Sequence, residues 1–202
     1  PPSSSSSSFV LSCAGEAGPF QAMELLLSAC ENYLSSQSPV RALPYALTCL
    51  SLCQTYHSRT THITAMLFLC RICLSLGLIS RASSLLSELK KMVVGQCPVL
   101  LQGDYHVVVA KVTLAEQNER ERETKGERER EEKEGEEERR REIALQSVSC
   151  SLKKSVDFFM KLDAHKRLVE VYHLQAMVYN MRGMRGERNA ASRLFRELMT
   201  KR

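Results

Sequence analysis

The sequence predicts an all-α chain of antiparallel helix hairpins, on three observations. Large and small residues recur at helical spacing in Met66, Leu69, Cys70 and Cys73, followed by Gly77, Ala82 and Leu86. The same beat returns in Tyr172, Gln175, Ala176 and Tyr179, followed by Gly183, Ala191 and Phe195. Composition is the third: Trp is absent and aromatics make up 6% of the chain, so Leu, Ala, Cys and Met must fill the interior. That mixture suits helix packed on helix. The spacing large-x2-large-small-x2-large, a turn, then small-x3-large is the rhythm of a tetratricopeptide (TPR) hairpin. The predicted fold is therefore a TPR-like α-solenoid of about eight helices, an architecture that presents surfaces to other proteins.

Each element follows from its pattern. Residues 1–18 are a Ser-rich, low-complexity leader, expected to be disordered. Phe20 to Ser36 is the first helix, with Met23, Leu26, Leu27, Cys30, Tyr33 and Leu34 on one face. Ser35 to Pro39 breaks it. The second helix runs from Val40 to His57, with Pro44 in its first turns and Ala46, Leu47, Leu50 and Cys53 facing inward. The hydroxyls of Ser58 to Thr61 suit a helix start, and a third helix continues to Leu76. Gly77 supplies the turn into Ile79 to Val94, whose Ala82, Leu85, Leu86 and Leu89 face inward and which Gly95 closes.

Beyond Pro98, a helix from Val99 to Gln117 keeps the beat with Tyr105, Val109, Ala110 and Thr113. Its partner, Ile143 to Leu162, carries Leu145, Val148, Leu152, Val156 and Phe159. The last pair is Lys166 to Arg182 and Glu187 to Thr200. Here Gly183 and Ala191 lie eight apart, against five for Gly77 and Ala82. The expected organisation is a leader (1–18), helical hairpins (19–118), a charged insertion (119–142) and hairpins continuing the solenoid (143–202).

The charged run, Glu119 to Glu142, holds twelve Glu against nine Lys or Arg. Its salt-bridge pattern could support a long exposed helix; the reading taken is a solvated loop insertion with nothing in it buried, since loop-closure entropy grows slowly enough for a hairpin to carry it. The whole chain is +5, so the remainder is +8. No basic stripe with interleaved aromatics accompanies that excess, which argues against nucleic acid. The longest apolar stretch, Ala65 to Leu78, contains Arg71 and is too short for a membrane span. The first residues offer no basic region or apolar core of a secretion signal, so the eight cysteines read as reduced thiols. With no initiator Met, the chain reads as part of a longer one.

Candidate chemistry is sparse. Cys49 and Cys53, at i,i+4, and Cys70 and Cys73, at i,i+3, are joined by His57 and His62 as possible zinc ligands. Buried packing cysteines explain the same spacing better. His106 and His173 lack a helical-spaced Glu/His partner set, and the glycines read as isolated helix ends rather than a phosphate loop. Phe158, Phe159 and Met160 read as core between hairpins. Met184, Arg185, Gly186, Glu187, Arg188 and Asn189 read as a charged turn. With Arg193, Arg196, Lys201 and Arg202 they form a basic end, for which an ordinary solvated face is the better reading and a partner-binding face the alternative. No catalytic, cofactor or metal residue is assigned.

Three stretches resemble the subunit 5 family of the anaphase-promoting complex. They are Ser38 to Leu47, Leu76 to Leu86, and Phe159-Met160-Lys161-Leu162-Asp163 through Lys166-Arg167, Val171-Tyr172, Gln175-Ala176, Tyr179, Gly183 and Glu187-Arg188-Asn189 to Leu194-Phe195-Arg196. The last includes the family's longer turn. The resemblance covers residues 20–117 and 143–200. It implies a non-catalytic platform in a ubiquitin ligase of the cell-division machinery, without a cofactor. The implied partners are the large scaffold subunit 1, subunit 4 and subunit 15, with no nucleic acid and no membrane. The implied location is nucleus and cytoplasm, with spindle association in mitosis. The rival reading is an unrelated TPR adaptor gripping a peptide tail. It would need a clamp of basic residues on the concave face, where Thr64, Ala65 and Phe68 stand instead.

Overall fold

The computed structural model describes residues 18–93, 97–124 and 131–200, apart from the side chains of 123–124 and 131–134. The Ser-rich leader (1–17), Gly95, Lys201, Arg202 and the middle of the charged run (125–130) lie outside the described residues. Every regular element described is an α-helix, and adjacent helices pair, as the TPR-like fold predicted from the sequence requires. The chain divides into two units, Pro1–Gly95 and Gln96–Arg202.

Unit 1 holds α1 (Pro19–Ser35), α2 (Pro39–Thr55), α3 (Arg59–Ser75) and α4 (Ile79–Val93). Its two hairpins repeat with a 40-residue offset, visible in the starts at Pro19 and Arg59 and at Pro39 and Ile79. The buried contacts keep the same offset. The Cys30 thiol donates to the Ala42 carbonyl at 3.5 Å, and Cys70 to Ala82 at 3.9 Å. Both alanines are fully buried. A small residue on each helix lets the pair approach closely, and a weak thiol donor fills the gap. Met23 and Leu26 of α1, Cys49 and Cys53 of α2, and Ala65 of α3 form one cluster. Alpha1 therefore packs on both α2 and α3, the contact that stacks one hairpin on the next.

Five helix ends share one construction. Two residues past each last helical residue stands a left-handed residue: Gln37, His57, Gly77, Asp163 and Gly183, with φ between 52° and 74°. The following amide returns to the carbonyl five residues back: Ser38 to Tyr33, Ser58 to Cys53, Leu78 to Cys73, Ala164 to Phe159 and Met184 to Tyr179, at 2.8–3.1 Å. This is the Schellman cap, which satisfies carbonyls left open by the helix end. Only two of the five positions are glycine.

Unit 2 holds α5 (Val99–Thr124), α6 (Glu131–Lys161), α7 (His165–Met181) and α8 (Arg185–Thr200). Val107, Ala110 and Leu114 of α5, Leu145, Val148, Leu152 and Phe159 of α6, and Leu168, Val171, Tyr172, Leu174 and Val178 of α7 make its core. Phe195 and Leu198 of α8 pack against that core. Gly103 lies within α5 rather than at a helix end, and the ring of Phe159 packs against it. The Ser155 hydroxyl donates to the Gly103 carbonyl at 3.2 Å, at the same close crossing.

Three expectations are corrected here. The charged run extends α5 to Thr124 and starts α6 at Glu131. Part of it is half-buried: Arg141 Nε lies 3.1 Å from Glu121 Oε1, joining the two helices. Glu142 accepts from Arg182 Nε at 2.9 Å. Leu47 is 51% exposed, while Ala42 and Cys49 take the buried face of α2. The three extra residues between Gly183 and Ala191 do not lengthen the turn. Alpha8 begins two residues after Gly183, as α4 begins two after Gly77, so the extra residues are nearly one turn of helix.

Candidate interaction surface

The cysteines proposed as metal ligands are placed by packing. Cys49 and Cys53 sulfurs lie 4.0 Å apart, and Cys53 Sγ lies 3.5 Å from the Met23 sulfur, inside the α1–α2–α3 core. Cys70 faces Ala82 across its own hairpin, and Cys73 is half-buried. His57 is exposed in its turn, and His62 is half-buried. Among the described residues, no three His, Cys, Asp or Glu side chains converge as a metal site. Burial pushes the Cys30 thiol up to about 11 and the Cys70 thiol up to about 12. Cys49 is raised further, by burial first and then by Cys53. Thiols held neutral in this way are poor nucleophiles and poor ligands.

The histidines divide. His106 is half-buried, stacked on Phe158 with ring centres 6.0 Å apart and edge-on to Tyr105. Burial, then the charge of Lys154, pushes its pKa below the ordinary value, and its buried Nδ1 has no hydrogen-bond partner among the described residues. His173 is exposed on α7, its ring 5.7 Å from Phe195. Phe159 is core as expected, but Met160, beside it in the last turn of α6, is 60% exposed. Ala65 and Phe68, expected on a concave face, are buried.

What remains is surface. Among the described residues, no helix is long and apolar enough to cross a membrane. Alpha2 turns Val40, Pro44 and Leu47 outward and carries Arg41 as its only charge. In unit 2, ion pairs tie α5 to α7. Arg167 Nε lies 3.2 Å from Asp104 Oδ1, and Lys111 pairs with Glu170. Residues expected as a charged turn belong to α8 from Arg185 onward. The Arg188 guanidinium donates to the side-chain oxygens of Asn180 and Asn189, each at 3.0 Å. Sequence reasoning missed the α5–α7 ion pairs, because their partners lie about 60 residues apart and no local pattern links them.

Paired helices capped alike and packed hairpin upon hairpin define a TPR-like helical-repeat protein. No protein-family model matches the chain. Among curated proteins, it is similar to anaphase-promoting complex subunit 5 of Homo sapiens and of Pongo abelii. Each is 29% identical over 176 residues, which is 87% of this chain and 21% of the relative. The Rattus norvegicus subunit 5 is 27% identical over the same length. The resemblance noted in the sequence is thus borne out, and the chain spans about a fifth of the length of the curated relatives it matches.

Proposed function

We propose that the chain is a platform segment of the anaphase-promoting complex. In this reading the complex is a multisubunit E3 ubiquitin ligase that controls mitotic progression and exit by ubiquitination of cell-cycle proteins. The chain contributes shape and contact surface, while catalysis belongs to other subunits. Its partners are the large scaffold subunit 1, subunit 4 and subunit 15, and it works in the nucleus and cytoplasm, at the spindle in mitosis. The observation that carries this reading is the similarity to subunit 5. Its 176 matched residues exceed the length of either unit alone, so the likeness spans both. Supporting it physically, paired helices hold their outward residues in fixed geometry, the property a platform needs.

The test is co-purification. Tagged full-length protein from mitotic cells should bring down the cullin and RING subunits together with subunits 1, 4 and 15. Recovery of the tagged protein without any of them ends this reading.

A further inference from the structure

Four cations of unit 2 are tied across helices. Lys111, Arg141, Arg167 and Arg182 each meet a carboxylate contributed by another helix. On α8 the arrangement differs. Ala191 is buried, and Phe195 and Leu198 pack against the core. At about 100° per residue, Arg185, Asn189, Arg193 and Arg196 fall in a band about 80° wide on the other side. All four are exposed. The band rises about 16 Å along the helix. Arg193 has a carboxylate near it, Glu197 at 3.7 Å, and both side chains are more than half exposed. Arg196 Nε donates to the Ser192 carbonyl at 3.3 Å. Among the described residues, no carboxylate is set against Arg185 or Arg196.

We infer that this arginine stripe docks an acidic segment of a partner protein. The inference rests on the proposed function, because it supplies one contact of a subunit inside an assembly. Charge complementarity selects the partner. Arginine presents a planar fork of donors that grips a carboxylate through two hydrogen bonds. Three arginines along one helix face therefore suit carboxylates spaced along a facing segment. A nucleic acid is the poorer fit, since the stripe carries no aromatic for base stacking and Glu197 borders it. Rim charges of this kind set orientation and association rate, and their effect falls with salt.

The test uses the full chain and a fluorescent helical peptide with Glu on one face. Anisotropy titrations are run at about 50 and about 300 mM NaCl. The expected result is saturable binding to the parent chain that weakens about tenfold at the higher salt. R185E/R193E/R196E should weaken binding by about tenfold or more, whereas K153E/K154E, reversing two exposed lysines of α6, should change it by less than about twofold. Circular dichroism confirms that both variants remain helical. Equal binding by the stripe variant, or tighter binding of a single-stranded RNA than of the peptide, overturns the inference. In cells, the stripe variant of the full-length protein separates the two readings. Loss of one ligase partner with retention of the others supports both. Parent protein that recovers no ligase subunit removes the proposed function, whatever the peptide does.

Discussion

The ring of Phe159 occupies the space that a side chain at Gly103 would need. A Cβ built at Gly103 would stand 2.5 Å from Phe159 Cε1, and Phe159 is fully buried. A ring held on all sides by the unit 2 core cannot swing away. Gly103→Ala should therefore destabilise the protein by about 1–3 kcal/mol through overpacking, although alanine is the better helix former. Denaturant unfolding checks this. Adding Phe159→Leu should recover part of the loss, a non-additivity expected only if the two positions touch.

The capped turns predict opposite signs at matched positions. Gly77 stands at φ 74° with open space where a Cβ would go, so Gly77→Ala pays for backbone strain alone. The expected loss is about 1 kcal/mol. Gln37 stands at φ 54° at the same place in the preceding hairpin. Gln37→Gly should gain about 0.5–1 kcal/mol, the relief of strain less the added unfolded-chain entropy. Thermal melts of the two variants should move in opposite directions.

The charged extension predicts a boundary. Replacing residues 122–140 with a short Gly/Ser loop keeps the Glu121–Arg141 and Glu142–Arg182 pairs. Stability should change by less than about 1 kcal/mol. Deleting all of Glu119 to Glu142 removes both pairs and should cost about 1–2 kcal/mol more, since each partly exposed pair contributes up to about 1 kcal/mol. Equal stability of the two deletions would mean that neither pair contributes.

His106 predicts a pH dependence. Its folded pKa is lowered by burial and by Lys154, so between that value and the ordinary His value the unfolded chain binds more protons. Its contribution is complete above pH about 6.5 and is lost as the pH falls from there through the folded value. His106→Phe should flatten this part of the stability profile. Unfolding measured between neutral and mildly acidic pH checks it, and an unchanged slope would show that His106 does not titrate differently in the two states.

Much of the fold was legible because periodicity reports burial. Met23, Cys30, Ala82, Leu89, Leu152 and Phe159 all face the core as their spacing requires. Leu47 shows where that logic fails. Alpha2 is apolar around most of its circumference, so size rather than hydrophobicity selects the buried face. Ala42, Ala46 and Cys49 take it because close helix approach needs small side chains. The turn residues Gln37, His57 and Asp163 were illegible as left-handed positions, since only glycine advertises that conformation. The charge pattern of the run allowed a helix, but its partial burial was illegible, because its ion pairs join residues far apart in sequence. The basic end was legible in composition, but its placement on α8 needed the helix to start at Arg185.

The proposed function makes this chain a fixed structural part of the ligase. The most direct measurement is its stoichiometry in complex purified through a different subunit, by quantitative mass spectrometry of mitotic and interphase cells. A permanent platform keeps a constant ratio to the cullin subunit in both states, and that is the expected result. A ratio that is negligible, or that rises and falls with the cell cycle as for a transient adaptor, would contradict it.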